Sequence, residues 1–251
     1  LGAINPIDRT ELEFHHGTFD TAEFYARTLA SPQSLAAVID SALLSPGATR
    51  DKVEKLCSDA VQFRFASALV QPIWVPTAVG VLAGTGIPVG VVLGFPLGAS
   101  LTSTLRHEAA ALLRLGAREL DMVAPIGQLK SGNRHAVDHA VRTVASVAQH
   151  HGARLKVILE TSLLTVQEKL TIAELAIQAG ADFIKTSTGF GACGDTVADV
   201  AVMRGVAGAR CGVCAAGGIR TLAGVKSMIE AGADRIGSSA SVAIMREFEA
   251  E

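Results

Sequence analysis

Short apolar runs alternate with longer amphipathic stretches along the chain. Runs of strand length fall at Ala37–Ala42, Phe65–Gln71, Val89–Phe95, Ala117–Val123, Leu155–Thr161, Asp182–Ser187, Cys211–Ala216 and Ala233–Gly237. Between them, apolar residues recur at helical spacing over Arg50–Gln62, Ser103–Leu115, His135–His150, Val166–Ala179, Val197–Val206 and Thr221–Ala231. Strands that alternate with helices imply βαβ units and a parallel sheet. Eight such units in roughly 210 residues fit a closed barrel better than an open sheet. The expected fold is therefore α/β, a single (β/α)8 TIM barrel.

The residues between the runs agree with that reading. Three helical stretches end in Leu115-Gly-Ala117, Ala179-Gly-Ala181 and Ala231-Gly-Ala233, where glycine supplies the left-handed residue that stops a helix before a strand. The strands end in polar or glycine-rich segments: Gly94-Phe-Pro-Leu-Gly98, Ser187-Thr-Gly-Phe-Gly191, Ala216-Gly-Gly-Ile219 and Gly237-Ser-Ser-Ala240. In a barrel these lie on the C-terminal face, where sites are built. Asp20–Ala30 reads as an extra helix before the barrel. The expected organisation is residues 1–36 as an N-terminal extension and helix, and 37–251 as the barrel.

Composition narrows the function classes. Of 251 residues 49% are hydrophobic and 18% charged, ample for strands covered on both faces. The net charge of −2 is spread along the chain, with no basic stripe to suggest nucleic acid and no apolar run long enough to span a bilayer. Leu1 to Phe14 carries Asp8, Arg9, Glu11 and Glu13 and does not read as a secretory leader, so a cytoplasmic location is expected. The cysteines are Cys57, Cys193, Cys211 and Cys214. Cys211 and Cys214 stand three apart on a strand and face opposite ways, and no second Cys or His pair is spaced to complete a zinc site.

Strand parity selects candidate chemistry. If charged residues face inward, the barrel mouth holds Asp40, Asp121, Lys156, Glu160 and Lys185; facing outward would bury them under helices without partners. Lys156, four positions before Glu160 on one face, reads as a buried ion pair with Glu160 or Asp121. Lys185 is followed by Thr-Ser-Thr-Gly-Phe-Gly, a pattern that suits an amine attacking a carbonyl while backbone N–H groups hold an anionic tail. Gly217-Gly218 and Gly237-Ser238-Ser239 precede a helix and fit phosphate binding after strands seven and eight, although ordinary tight turns would look the same.

These residues resemble a known family. Glu119-Leu-Asp-Met-Val123, Leu155-Lys-Val-Ile-Leu-Glu-Thr161, Ala181-Asp-Phe-Ile-Lys-Thr-Ser-Thr-Gly-Phe190 and Gly217-Gly-Ile-Arg-Thr221 are similar to the deoxyribose-phosphate aldolases, as are Gly94-Phe-Pro-Leu-Gly98 and Leu129-Lys-Ser-Gly132. The resemblance spans about residues 37–246. It implies a class I aldolase without a cofactor or metal, in which Lys185 forms a Schiff base with acetaldehyde or a sugar phosphate. It also implies that Asp121 relays protons with a water, that Asp40 stands at the mouth, and that Thr188 lies beside the Schiff base. Gly189, Gly217, Gly218, Ser238 and Ser239 would cradle phosphate. A homodimer fits both the apolar outer helices and the family.

The departures cluster near the chemistry. The family's seventh strand normally reads Gly-Val-Lys-Ala-Ser-Gly-Gly, and here it is Gly212-Val-Cys-Ala-Ala-Gly-Gly218. Cys214 thus replaces a second lysine, whose charge would lower the pKa of the nucleophile. Without it, only desolvation and Lys156 remain to depress Lys185, and slow imine formation at neutral pH is expected. Asp40-Ser-Ala-Leu-Leu-Ser-Pro46 and Gly237-Ser-Ser-Ala-Ser241 likewise lose polar groups the family carries. Three readings follow. The first is cleavage of 2-deoxyribose 5-phosphate to glyceraldehyde 3-phosphate and acetaldehyde, or the reverse addition. The second is a diverged or engineered variant using the iminium for conjugate addition or for unphosphorylated substrates. The third is a non-catalytic pseudo-aldolase.

Overall fold

The computed structural model describes residues 19–191 and 196–251, so Cys193 and the first half of the expected N-terminal extension lie outside the described residues. Helix α1 (Thr21–Thr28) starts where the Asp20 carboxylate accepts the Glu23 N–H, and α2 (Pro32–Ala36) starts from Ser31 with proline in its first turn. There follow β1 (Ile39–Leu43), α3 (Arg50–Phe63), β2 (Ser67–Val70), α4 (Val75–Leu82), β3 (Val89–Leu93), α5 (Thr102–Arg114) and β4 (Glu119–Val123). The second half continues with α6 (Ile126–Lys130), α7 (Arg134–His150), β5 (Arg154–Ile158), α8 (Val166–Gln178) and β6 (Phe183–Lys185). It ends with α9 (Val197–Ala207), β7 (Gly212–Ala216), α10 (Leu222–Glu230), β8 (Arg235–Ser238) and α11 (Ser241–Glu249). All eight strands pair in parallel, in chain order, and β1 closes on β8: a TIM barrel.

Two layers hold the barrel. Residues on the outer faces of the strands, such as Val91, Leu120, Val157, Ile184, Val213 and Ile236, join the buried faces of the helices in one apolar cluster. The inner faces carry polar side chains in register. Asp40 pairs with Ser67 across β1–β2, Asp121 with Lys156 across β4–β5, and Lys185 with Cys214 across β6–β7. Small residues make room for large ones there. A β carbon on Gly212 would fall 2.2 Å from the Phe183 ring, and one on Gly237 would fall 2.8 Å from Ala216 Cβ and 3.5 Å from Lys185 Nζ. No helix among the described residues is long and apolar enough to cross a membrane.

Candidate active site

Six buried charges occupy the barrel interior. Arg235, at the start of β8, donates from Nε to Asp40 Oδ1 at 2.9 Å and from a terminal nitrogen to both Glu119 oxygens at 2.9 and 3.2 Å. Ser67 donates to the same Asp40 oxygen at 2.5 Å. Lys156 is bonded to Glu119, stands 3.3 Å from Asp40 Oδ2, and donates to Asp121 Oδ1 at 3.2 Å. The other Asp121 oxygen, Oδ2, accepts from Lys185 Nζ at 2.6 Å. Three carboxylates thus face three cations, and the set is formally neutral. Burial alone would push each of these charges toward its neutral form. For Asp40 burial raises the pKa, but Arg235 and Lys156 outweigh it and hold the carboxyl well below the usual range. For Lys156 and Arg235 the carboxylates likewise outweigh desolvation and keep both groups cationic.

Lys185 follows the same logic, with consequences for its chemistry. Desolvation, the largest single influence, lowers its pKa, but the Asp121 charge, the hydrogen bond to it and the other raising influences together outweigh it, and the outcome lies above that of an ordinary lysine. Desolvation and Lys156, the two influences expected to depress the amine, do not bring it below an ordinary lysine while Asp121 accepts its hydrogen bond at 2.6 Å. Position 214 offers nothing to oppose it. Cys214 is buried beside Lys185 in register, and burial pushes its thiol far up, so it is neutral and carries no charge toward the amine.

Above this network lies a cavity of about 370 Å³, with Lys185 at its floor. Its walls include Ser187, Thr188, Gly189 and Phe190 after β6, Gly217, Gly218, Ile219 and Arg220 after β7, and Gly237, Ser238 and Ser239 from β8 onward. Ala42, Leu43, Leu44, Ser45, Pro46 and Leu69 line the β1–β2 side, apolar except for Ser45. Gly189, Gly217 and Gly218 have φ of 80°, 116° and 79°, conformations that leave their backbone open to a ligand. A larger groove of about 940 Å³ runs between α3 and α11, away from Lys185.

Seven of the residues nominated from sequence therefore line one cavity: Lys185, Thr188, Gly189, Gly217, Gly218, Ser238 and Ser239. Asp121 lies directly beneath, in contact with Lys185. Asp40 and Lys156 lie deeper, fully buried, rather than at the mouth. Lys156 is the buried ion pair expected of it, but its partners are Asp121, Glu119 and Asp40, and Glu160 is not among them. The reason is local: Glu160 has a left-handed backbone (φ 52°) just past the end of β5, and it turns toward the β6 loop. Ser238 is less available than expected, because its hydroxyl donates to the Ile219 carbonyl at 2.7 Å and accepts from Ala240 N. Glu119 and Arg235 were not singled out from sequence. Both were findable, since each shares strand parity with a residue that was: Glu119 with Asp121, and Arg235 with Gly237.

Comparison with known proteins agrees with this geometry. Residues 35–246 match the model of the DeoC/LacD family aldolases. The chain belongs to that family. It is 46% identical over 216 residues to a deoxyribose-phosphate aldolase of a Thermoanaerobacter species, covering 86% of this chain and 97% of the relative. It is also 46% identical over 219 residues to the deoxyribose-phosphate aldolase of Lysinibacillus sphaericus, covering 87% and 98%. Among solved structures, the tetrameric deoxyribose phosphate aldolase of Aeropyrum pernix superposes with a TM-score of 0.84 at 34% identity, over 92% of this chain and 97% of that one. DeoC/LacD family aldolases are carbon–carbon lyases, and the closed barrel with its mouth at the strands' C-terminal ends is the architecture that membership carries.

Proposed function

We propose that this DeoC/LacD family aldolase works through a Schiff base on Lys185, cleaving 2-deoxyribose 5-phosphate to glyceraldehyde 3-phosphate and acetaldehyde or running the reverse addition. The observation that carries the proposal is the lysine amine at the floor of the cavity, 2.6 Å from a carboxylate and beneath a glycine-rich rim. In the addition direction the free amine attacks the acetaldehyde carbonyl, and the carbinolamine expels water to give an iminium. The iminium draws electrons from the neighbouring carbon, which loses a proton and becomes an enamine. The enamine attacks the carbonyl of the second aldehyde, and water then releases the product and regenerates the amine. Asp121 is the group we assign to the proton transfers, through a water, because among the described residues it is the carboxylate that touches Lys185. The exposed glycines with Ser239 and the Arg220 side chain would receive the phosphate, so the ligands are small aldehydes and sugar phosphates.

A second reading has its own support. The cavity is apolar on the β1–β2 side, Ser238 spends its hydroxyl within the fold, and Cys214 leaves Lys185 paired with Asp121. These features favour an iminium used on less polar, unphosphorylated acceptors. Incubation with acetaldehyde and borohydride, followed by mass mapping, tests both. We expect irreversible modification of Lys185, abolished in Lys185→Met. An unlabelled protein from neutral to alkaline pH would sink both readings and leave the pseudo-aldolase. Cleavage of 2-deoxyribose 5-phosphate by the untreated protein favours the first; labelling by borohydride without cleavage by the untreated protein favours the second.

A further inference from the structure

Glu160 has no part in the steps above, yet it occupies a costly position. Its backbone is left-handed (φ 52°, ψ 63°), a region that crowds the β carbon of any residue but glycine. Its side chain is buried, and Oε2 accepts the Thr188 N–H at 3.2 Å. Oε1 is buried without a hydrogen-bond partner among the described residues. A β carbon on Gly191 would come within 3.3 Å of Oε1, so the carboxyl group fills the space directly beneath the turn after β6.

That turn is fixed at its root and at its middle. Thr186 ties its root to β7: Oγ1 donates to the Ala216 carbonyl at 3.1 Å and accepts the Ala216 N–H at 3.0 Å. Glu160 ties its middle to the end of β5. The fixing then passes outward, because Thr188 Oγ1 accepts the Phe190 N–H at 3.1 Å, and the Phe190 ring stands edge-on to Phe95 with centroids 5.2 Å apart. Thr188, Gly189 and Phe190 are cavity wall, whereas Glu160 is not. Lys185 is held by the backbone rather than by the Glu160 side chain, its carbonyl accepting the Leu159 N–H at 2.8 Å.

We propose that Glu160 is a positioning residue: it sets the Thr188–Phe190 wall and so governs how tightly the distal, phosphate-bearing end of a sugar phosphate is held, without acting on the Lys185 amine. The assignment rests on the Schiff-base reading. Its test is the substrate concentration that half-saturates borohydride trapping at Lys185, measured for 2-deoxyribose 5-phosphate and for acetaldehyde. Glu160→Ala should raise the sugar-phosphate value about tenfold, the effect of one lost hydrogen bond to a charged group, and leave the acetaldehyde value within about twofold. Glu160→Gln, whose amide oxygen can accept the same N–H, should stay near wild type for both. Glu160→Gly retains the left-handed backbone without the carboxyl group and guards against a misfolded alanine variant; it should match the alanine result. The proposal is overturned if the variants shift both substrates by one factor or neither, or if the glycine variant behaves as wild type. An unlabelled wild-type protein instead removes the Schiff-base reading and this inference with it. Normal labelling with no effect of Glu160 removes the inference alone.

Discussion

The amine of Lys185 must lose a proton before it can attack, and every group that faces it bears on that step. Asp121 and Asp40 stabilise its charge, Lys156 opposes it, Arg235 is screened behind Asp40 and Glu119, and Cys214 is a neutral thiol. With the pKa above that of an ordinary lysine, the rate of borohydride trapping should rise about tenfold for each pH unit from 7 toward 9, as the amine fraction does. Cys214→Lys would put a second ammonium beside the first. Two unit charges about 4 Å apart at an effective dielectric near 20 interact by about 4 kcal/mol, or roughly three pH units. The carboxylates will absorb part of that. We expect trapping at pH 7 to increase at least about tenfold and the whole profile to move toward acid; an unchanged profile would show that position 214 does not tune Lys185.

At the scale of elements, one helix end carries an avoidable strain. Helix α3 ends on Arg64 in the left-handed conformation (φ 60°), a C-terminal position that glycine fills without crowding. Arg64→Gly should raise stability by about 0.5–1 kcal/mol, visible as a higher urea midpoint at unchanged slope. A lower midpoint would mean that the side chain contributes more than its backbone costs. The same scale explains what could be read in advance. All eight strands were legible because two-sided burial makes them continuous apolar runs between glycine stops, and α1 was legible from the helical spacing of its aromatic and apolar residues. Helix α4 was not, since Val75–Leu82 is apolar nearly all round and carries no helical stripe. Parity placed Lys185 and Asp121 correctly, but it stops at the strand's end. Glu160 lies beyond β5 in a left-handed turn, so its partner is Thr188 rather than Lys156. The Asp121–Lys185 distance, which decides the sign of the lysine's pKa shift, is a property of the closed barrel and no local pattern contains it.

Across the whole molecule, pH acts on chemistry and stability in opposite directions. On the acid side the fold is protected. The folded-state pKa of Asp40 is depressed, so its stabilisation is present above the unfolded value near 4 and is lost only as pH falls through the lower folded value. The alkaline side is weaker. Burial raises Cys57 to about 11 and Cys211 to about 12, from an ordinary thiol value of 9.0. The stabilisation from these neutral thiols is complete below about pH 9 and is progressively lost as pH rises through the folded values, because unfolding then releases protons. Imine formation at Lys185 gains with pH over the range just below. The product of the two trends is a bell-shaped labelling profile whose lower limb is the lysine's titration and whose upper limb is unfolding. The limbs are separable. Cys57→Ala together with Cys211→Ala removes two buried thiols outside the barrel interior, and should carry the upper limb to higher pH while the lower limb stays in place. Intrinsic fluorescence of Trp74 across the same pH series should fall in step with the upper limb only. If labelling declines above pH 9 while the fluorescence stays native, the upper limb belongs to a titrating group in the site, and the buried thiols are not what ends activity.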